Sequence, residues 1–534
     1  MNAVDCVVIG HHDVDFAAFA RTQEAFKDRS ASHSEVVTNS IRDGSARCTY
    51  MDLLNKILQR ASGRPWALNA FDLPSLAVAY LVSCLRRAGL ATEGINMFTS
   101  GREKLRELLV AGARAVAITT TYYVDDQPIK EIIRFVRQHN PDTVIIVGGP
   151  RILAIVNGSN TLTQRLLLKT IGADVYVRSS QGERTLARVI SSLREGKMDL
   201  TGIPNLMFRN GRDFVHTPIE PESNDLDANA VDWTTFERGQ FTPTTYMRTA
   251  RSCPFSCSFC NYPVLAGAHT LASIETIERE MRYLADNGLE YLIIVDDTFN
   301  VPLPRFKALL RMMIRNRFPF RWVSFFRCSN SDDEAFDLMQ ESGCLGVYLG
   351  IESGDQRILE VMNKFAKVER YAEGIRKLQE RGIMTLVSLI VGFPGETPDS
   401  VAATIRFLNE NVPTFYNIQV YYHDTQAPIE RRREELGIEG SGYSWSHKTM
   451  DWREAVHWKE HMLKSVDIPV LLPLYGFSIW TVPCLMQHGI NLGQIVHFGK
   501  FANKLSRAEL AGCLPDLDSA VAEFCAQGYF DNLR

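Results

Sequence analysis

Three cysteines crowd into one short stretch of this chain, Arg251-Ser252-Cys253-Pro254-Phe255-Ser256-Cys257-Ser258-Phe259-Cys260, with the spacing C-x3-C-x2-C. No other feature narrows the fold so far. Thiolates gathered on one tight loop ask for a soft metal in a reducing setting. Three of them can hold three irons of a cubane and leave the fourth iron without a protein thiolate. Clusters that only pass electrons are closed by four cysteines, so an open iron is free to chelate a substrate or cofactor. The competing reading is a zinc knuckle short of one ligand, with His269 the nearest downstream histidine; structural zinc wants four ligands. The other eight of the eleven cysteines (Cys6, Cys48, Cys84, Cys328, Cys344, Cys484, Cys513, Cys525) are scattered. An odd number without an export signal argues against a disulfide framework, and their default place is the core.

The cysteine loop opens a run of alternating elements. Strands are expected at 246–251, 290–296, 321–327, 346–350, 384–391 and 415–422, with helices between them at 273–287, 303–317, 332–342, 369–381 and 398–410. Six such beats predict a partial barrel of parallel strands, (β/α)6, over 244–424, with active residues at the strand ends. A different alternation precedes it. Cys6-Val7-Val8-Ile9-Gly10, Ala115-Val116-Ala117-Ile118-Thr119, Val144-Ile145-Ile146-Val147 and Ala173-Asp174-Val175-Tyr176-Val177 are apolar runs of strand length. Helical spacing appears at 74–89, at Ile129, Ile132, Ile133 and Val136, and at 183–194. This predicts an α/β, doubly wound, Rossmann-like domain over 1–210. Its ligands belong at the loops 10–14, 119–125, 148–152 and 179–183. Residues 211–243 are polar and irregular and are expected to be a linker. The stretch 425–534 is expected to be a mostly helical C-terminal region covering the barrel. A chain of 534 residues has room for several cores.

Charge and hydropathy remove whole classes. Fifty-eight Lys and Arg against sixty-two Asp and Glu give a net charge of -4, which offers no global field for nucleic acid or an anionic membrane. No apolar run reaches the roughly eighteen residues of a membrane helix. Met1-Asn2-Ala3-Val4-Asp5 lacks the basic and apolar regions of a secretory signal. The expectation is a cytoplasmic protein with no nucleic-acid or membrane partner.

Three cysteines at this spacing, with Phe259 before the last, at the start of a six-beat barrel, resemble the radical S-adenosylmethionine (SAM) superfamily. Further strings match at strand ends: Val295-Asp296-Asp297-Thr298-Phe299, Phe326-Arg327-Cys328-Ser329-Asn330, Gly350-Ile351-Glu352-Ser353-Gly354 and Val391-Gly392-Phe393-Pro394-Gly395-Glu396-Thr397. The resemblance implies a 4Fe–4S cluster on Cys253, Cys257 and Cys260, SAM chelated at the open iron, and one-electron cleavage of SAM. It also implies SAM contacts from Phe259, Asp297, Arg327, Glu352 and Ser353. The Gly-Gly-Glu motif that often follows the second strand is replaced here by Asp296-Asp297-Thr298. Each string has a plain alternative: the Asp pair as a helix cap, Gly392 to Gly395 as a turn, Arg327 as a surface ion pair.

A doubly wound domain ahead of such a barrel resembles the cobalamin-dependent class. The matching strings are Ile118-Thr119-Thr120-Thr121, Gly148-Gly149-Pro150 and Gln181-Gly182-Glu183. Small residues let backbone approach a bulky corrin, so the resemblance implies cobalamin contacts from Thr120, Thr121, Gly148, Gly149, Pro150, Gly182 and Glu183. No Gly-x-Gly-x-x-Gly follows Gly10-His11-His12-Asp13, which argues against a dinucleotide. The string Asp-x-His-x-x-Gly, whose histidine binds cobalt in many cobalamin modules, is also absent. No histidine ligand is expected from that motif; His11 and His12 stand as weak candidates, with loop residues as their plain reading.

Asp296 to Lys307, Phe326 to Asn330 and Trp445-Ser446-His447-Lys448-Thr449-Met450 are similar to the P-methyltransferases of phosphinothricin-tripeptide biosynthesis. The domain order is similar to the tryptophan C-methyltransferase of thiopeptide biosynthesis. Both imply methyl transfer from SAM by way of methylcobalamin, in secondary metabolism, to an unactivated carbon or a phosphinate phosphorus of a small-molecule or peptide-derived substrate. A flavodoxin- or ferredoxin-type protein would supply electrons. Two alternatives stand beside this: oxidation, ring contraction or cyclisation without methyl transfer, and polar C-methylation of an aromatic without a substrate radical. Tyr421, Tyr422, His423, Tyr443, Trp445 and His447 are candidate substrate contacts, with aromatic packing of a lid as the plain alternative.

Overall fold

The computed structural model describes residues 4–12, 15–123, 125–197, 199–211, 213–222, 224–473 and 475–533. Asp13 and Val14 of the first expected ligand loop, and Val124 of the second, lie outside them. The chain forms two compact units. One comprises Met1–Val14, Phe71–Phe241 and Thr270–Leu284; the other comprises Asp15–Ala70, Thr242–His269 and Ala285–Arg534.

The first unit is built on a seven-stranded sheet. In spatial order its strands are Thr92–Met97, Cys6–His11, Ala115–Thr119, Val144–Gly148, Val175–Val177, Leu206–Asn210 and Asp213–His216. The first five run parallel and the last two antiparallel. Alternate residues of a strand face opposite sides. Val7 and Ile9 therefore enter one core with Phe98, Ile132 and Val136, while Cys6 and Val8 enter a second with Val82, Leu85 and Val189. A sheet covered on both faces needs continuous apolar strands, which is why these runs are legible. The strand Thr92–Met97 was not expected. It lies at the sheet edge and mixes buried with half-buried residues, so it never becomes an apolar run.

The second unit holds a parallel sheet in the order Thr244–Met247, Tyr291–Ile294, Arg321–Phe325, Cys344–Glu352, Met384–Val391, Phe415–Val420 and Val470–Leu471. The six expected beats are present. The seventh strand comes from the C-terminal region and pairs Val470 and Leu471 with Phe415 and Tyr416. The C-terminal region also contributes the helices Trp452–Ser465, Thr481–Gln487, Leu492–Leu510 and Leu517–Cys525, and a small sheet over 439–451.

Two expected boundaries differ from this division. Asp15–Ala70 clusters with the second unit although 1–210 was expected to be one domain. Its helices find their partners far along the chain. Tyr50 packs edge-on to Phe498, Arg47 pairs with Glu509, and buried Glu35 pairs with buried Lys459 at 2.8 Å. The region 211–243 is packed rather than extended as a linker. Asp213–His216 closes a hairpin with Leu206–Asn210, and Trp233 is buried, its indole N–H donating to Glu280 at 3.0 Å. Among the described residues no helix is long and apolar enough to cross a membrane.

Candidate functional site

At the C-terminal ends of the barrel strands, side chains spend their hydrogen bonds on holding loops. Asp296 is buried and accepts from the backbone N–H of Thr249 at 2.6 Å, the N–H of Ala250 at 2.9 Å and the Thr249 hydroxyl. It thereby fixes the chain just before the cysteines, and burial pushes its carboxyl up. Asn300 accepts from the N–H of Arg327 at 3.0 Å and donates to the carbonyls of Arg327 and Asn330. The loops after the second and third strands are thus stapled together.

The cysteine loop begins at Ser252, whose φ of 70° is left-handed. Such conformations cost about 1–3 kcal/mol and cluster where the surroundings impose them. Cys253 Sγ lies 3.5 Å from the Thr298 hydroxyl. The Cys260 thiol is pushed up to about 11, by burial first and then by Cys257, Cys253 and Asp297 nearby. A bound cation reverses that balance and makes thiolates the stable form, so the donor set fits a positively charged metal centre. Among the described residues no three His, Cys, Asp or Glu side chains converge as a single ion requires; a cubane takes one thiolate per iron and does not ask for that. Burial and then the neighbouring Arg305 cation push the His269 imidazole down, and the same cation opposes a zinc dication there.

Two cations line this mouth. The Arg327 guanidinium stacks 3.7 Å over the Phe255 ring, and its Nε donates to Ser329 at 3.2 Å. Its Nη2 is buried without a partner. A buried unpaired donor on a charged group is costly, so Arg327 is not the surface ion pair of the plain alternative. The spare donor fits an anionic group such as a carboxylate. Lys364 was not anticipated. Its Nζ donates to Glu352 at 2.8 Å and lies 5.4 Å from the centre of the Phe259 ring. Burial works against its charge, but Glu352, Tyr371 and Cys257 outweigh that and raise it. Glu352 sits at a strand irregularity with φ 69°. A Cβ on Gly350 would lie 2.6 Å from the Glu352 carboxylate, so only glycine leaves room for the pair. Lys364 lies in a turn between left-handed Asn363 and Phe365, outside any apolar periodicity, so no sequence signal singled it out.

The other expected SAM residues divide. Asp297 is open to solvent on one side and meets Tyr262 on the other; the surrounding protein and the Asp296 carboxylate push its carboxyl up to about 6. Phe259 is half-buried on the cysteine loop, edge-on to Phe393. Ser353 is sealed, accepting from Asp355 N–H at 3.1 Å and lying 3.4 Å from the Thr404 hydroxyl, so its hydroxyl holds a turn. The Gly392 turn is organised by buried Glu396, which accepts from the N–H groups of Gly392 and Phe393. Burial pushes that carboxyl up to about 8.

The candidate substrate residues form an inner brace and an outer edge. Tyr421 Oη and His423 Nδ1 share a hydrogen bond of 2.9 Å, and His423 Nε2 lies 2.8 Å from Glu430. Trp445 donates to the Tyr421 carbonyl at 2.7 Å, and His447 stacks on Trp445 with Nε2 3.0 Å from the Gly392 carbonyl. Tyr422 is exposed, edge-on to Tyr443.

In the first unit the parallel strands, numbered along the chain, stand in the order 2-1-3-4-5. In such sheets the order reverses beside the first strand, and ligands bind at the carboxyl ends there. The residues at that reversal are His11, ending the first strand, and Thr119 to Tyr123, following the third. Thr120 accepts from Arg151 N–H at 3.2 Å and donates its hydroxyl to the Gly148 carbonyl at 2.9 Å. Gly149 has φ 108°, and a Cβ there would stand 2.8 Å from the Thr120 hydroxyl. The two loops thus close on each other, Thr120 against the bare backbone of Gly149, and the small residues at this strand end fit the approach of a large planar ligand. Pro150 opens the helix Pro150–Gly158. Thr121 is exposed, Gly182 packs against Val177 before the helix Glu183–Arg194, and the Glu183 carboxylate accepts from Asn224 at 2.6 Å.

Residues 247–408 match the model of the radical SAM superfamily. The uncharacterized methyltransferase PH0819 of Pyrococcus horikoshii is 25% identical over 348 residues, 62% of this chain and 72% of that protein. The anaerobic magnesium-protoporphyrin IX monomethyl ester cyclase of Cereibacter sphaeroides is 26% identical over 368 residues, 65% of this chain and 58% of that protein. Among solved structures, the radical SAM methyltransferase TsrM from Kitasatospora setae, with cobalamin and a 4Fe–4S cluster bound, matches with a TM-score of 0.60 at 19% identity, over 85% of this chain and 97% of that chain. That last likeness is one of fold.

Proposed function

We propose, from the premise that residues 247–408 form a radical SAM domain, that this chain is a cobalamin-dependent radical SAM methyltransferase acting on a small-molecule or peptide-derived substrate. The observation that carries the reading is the Cys253, Cys257 and Cys260 loop, rooted by Asp296, with the unpaired buried Nη2 of Arg327 at a neighbouring strand end. When bound, the cluster supplies an electron to a chelated SAM and the corrin supplies a transferable methyl group.

The residues have separable tasks. Cys253, Cys257 and Cys260 bind the three irons. Asp296, Thr249 and Asn300 hold the loops so that the ligand geometry is set before the metal arrives. Arg327 offers its spare donor to the SAM carboxylate, and Phe259 and Asp297 border the same space. Glu352 is held by Lys364 in one orientation, ready to accept from a ribose or amino group. Ser353 shapes the turn that presents Glu352. In the first unit Thr120, Thr121, Gly148, Gly149, Pro150, Gly182 and Glu183 lie at strand ends as the corrin cradle. A flavodoxin or ferredoxin is the electron donor.

The test is anaerobic reconstitution with iron, sulfide and cobalamin, followed by SAM, reductant and a panel of aromatic and phosphinate substrates. The expected product is one methylene heavier, made alongside S-adenosylhomocysteine. Product formation without added mass would favour the second reading, oxidation or cyclisation, which the 26% identity to the ester cyclase supports. Absence of SAM consumption under strong reductant would remove both.

A further inference from the structure

The first strand of the doubly wound sheet ends on a histidine with nothing to do. His11 closes Cys6–His11 and pairs across the sheet with Met97. It is 4% exposed and packs edge-on against Tyr122, with ring centres 4.4 Å apart, and against Phe71 at 5.4 Å. Its Nδ1 is sealed without a hydrogen-bond partner. Among the described residues Nε2 has no hydrogen-bond partner either, and it is not one of the fully sealed atoms. Burying Nδ1 with its hydrogen bond unmade is costly. Burial pushes the ring down to about 4, so it is neutral and carries a lone pair. The adjacent His12 instead faces a carboxylate, its Nε2 2.9 Å from Glu131.

Position adds the second argument. His11 stands where the strand order 2-1-3-4-5 reverses, one residue past Gly10, whose carbonyl accepts from the Thr119 hydroxyl at 3.2 Å. This is the place where sheets of this kind take ligands, and the Thr120 and Gly149 cradle is two strands along the same edge. A neutral imidazole nitrogen is a favoured ligand of first-row transition metals. We propose that His11 presents Nε2 to the cobalt of the corrin on the sheet side, as a protein axial ligand outside any Asp-x-His-x-x-Gly string. The step is coordination only: the Nε2 lone pair occupies a cobalt site, a water leaves, and no electron or proton moves. The absence of the Asp-x-His-x-x-Gly string bears only on a ligand from that motif, and His11 lies outside it. The proposal rests on the cobalamin part of the proposed function, and its test separates the two.

The full chain is prepared at natural abundance and with [15N]histidine, loaded anaerobically with cob(II)alamin, and examined by electron paramagnetic resonance without SAM. The unlabelled protein should show cobalt lines split into triplets by one nitrogen, and the labelled protein doublets. The label is needed because the nucleotide base of cobalamin also gives a triplet. His11→Gln should lose the doublet, and His12→Gln should keep it. A triplet that ignores the label, no nitrogen splitting, or a doublet that survives His11→Gln each overturns the assignment. The comparison of labelled and unlabelled native protein stands even if His11→Gln fails to fold. No uptake of corrin at all overturns the cobalamin reading itself, a different failure with a different signature in the absorption spectrum.

Discussion

The cysteine loop and the reversal point of the doubly wound sheet are both strand-end sites, but they are specified in opposite ways. The loop carries its ligands as three side chains within ten consecutive residues, 251–260. The sheet site is made of His11, Thr120 and Gly149, which span more than a hundred residues of sequence and which parallel pairing brings to one edge. The first is chemistry held in local order; the second is shape, in which the absence of a Cβ matters as much as any side chain. Local sites survive much change elsewhere in the chain, while assembled sites depend on every strand that frames them.

The comparison can be broken most directly at the loop. Replacing Cys257 by Ala should bring iron content and SAM cleavage to background while leaving the far-ultraviolet circular dichroism unchanged; retained iron would mean the ligand set lies elsewhere. The next effect tests an assembled feature in the same unit. Glu35→Ala leaves Lys459 buried without its partner and removes the acceptor of the Val420 N–H, at 2.8 Å in each case. It should cost about 3–5 kcal/mol in urea unfolding, and much of this should return in the Glu35→Ala/Lys459→Met double variant. At the sheet site, Gly149→Ala introduces a Cβ 2.8 Å from the Thr120 hydroxyl at positive φ. The expected cost is about 1–3 kcal/mol, with weaker cobalamin uptake by absorbance titration and no loss of iron.

The last effect is one of pH. Glu396 is buried, with its carboxyl pushed to about 8 against about 4.3 for an ordinary glutamate. The folded form holds the proton more tightly than the unfolded form. The stability it contributes is full below about pH 4 and is lost as pH rises through about 8. Glu396→Gln should flatten this slope, so that the urea midpoints of variant and native protein diverge between pH 5 and pH 8.5 in the variant's favour. Parallel curves would show that Glu396 is ionised in the fold.

Much of the fold was legible. The apolar runs from Cys6 to Gly10, Ala115 to Thr119 and Val144 to Val147 are strands because both faces of the sheet are covered. Thr92–Met97, half-buried at the edge, left no such trace. The packing of Asp15–Ala70 with the barrel unit was invisible, because the partners of Glu35 and Arg47 lie more than four hundred residues on. In the candidate site the cysteines, Arg327 and Glu352 were legible as residue types at strand ends. Lys364, Asn300 and the task of Asp296 were not, since nothing in a linear pattern tells which loop a polar side chain will staple.

The sequence by itself determined the thiol trio, because three ligands on one short loop need no fold to be neighbours. It also determined the two alternations of strand and helix, because burial of a sheet face imposes its period on the chain. Only the tertiary structure decided which buried polar groups were left unpaired. Arg327 Nη2 and His11 are orphans by virtue of what surrounds them, and an unmet hydrogen bond is a property of the assembled interior rather than of any residue in the chain.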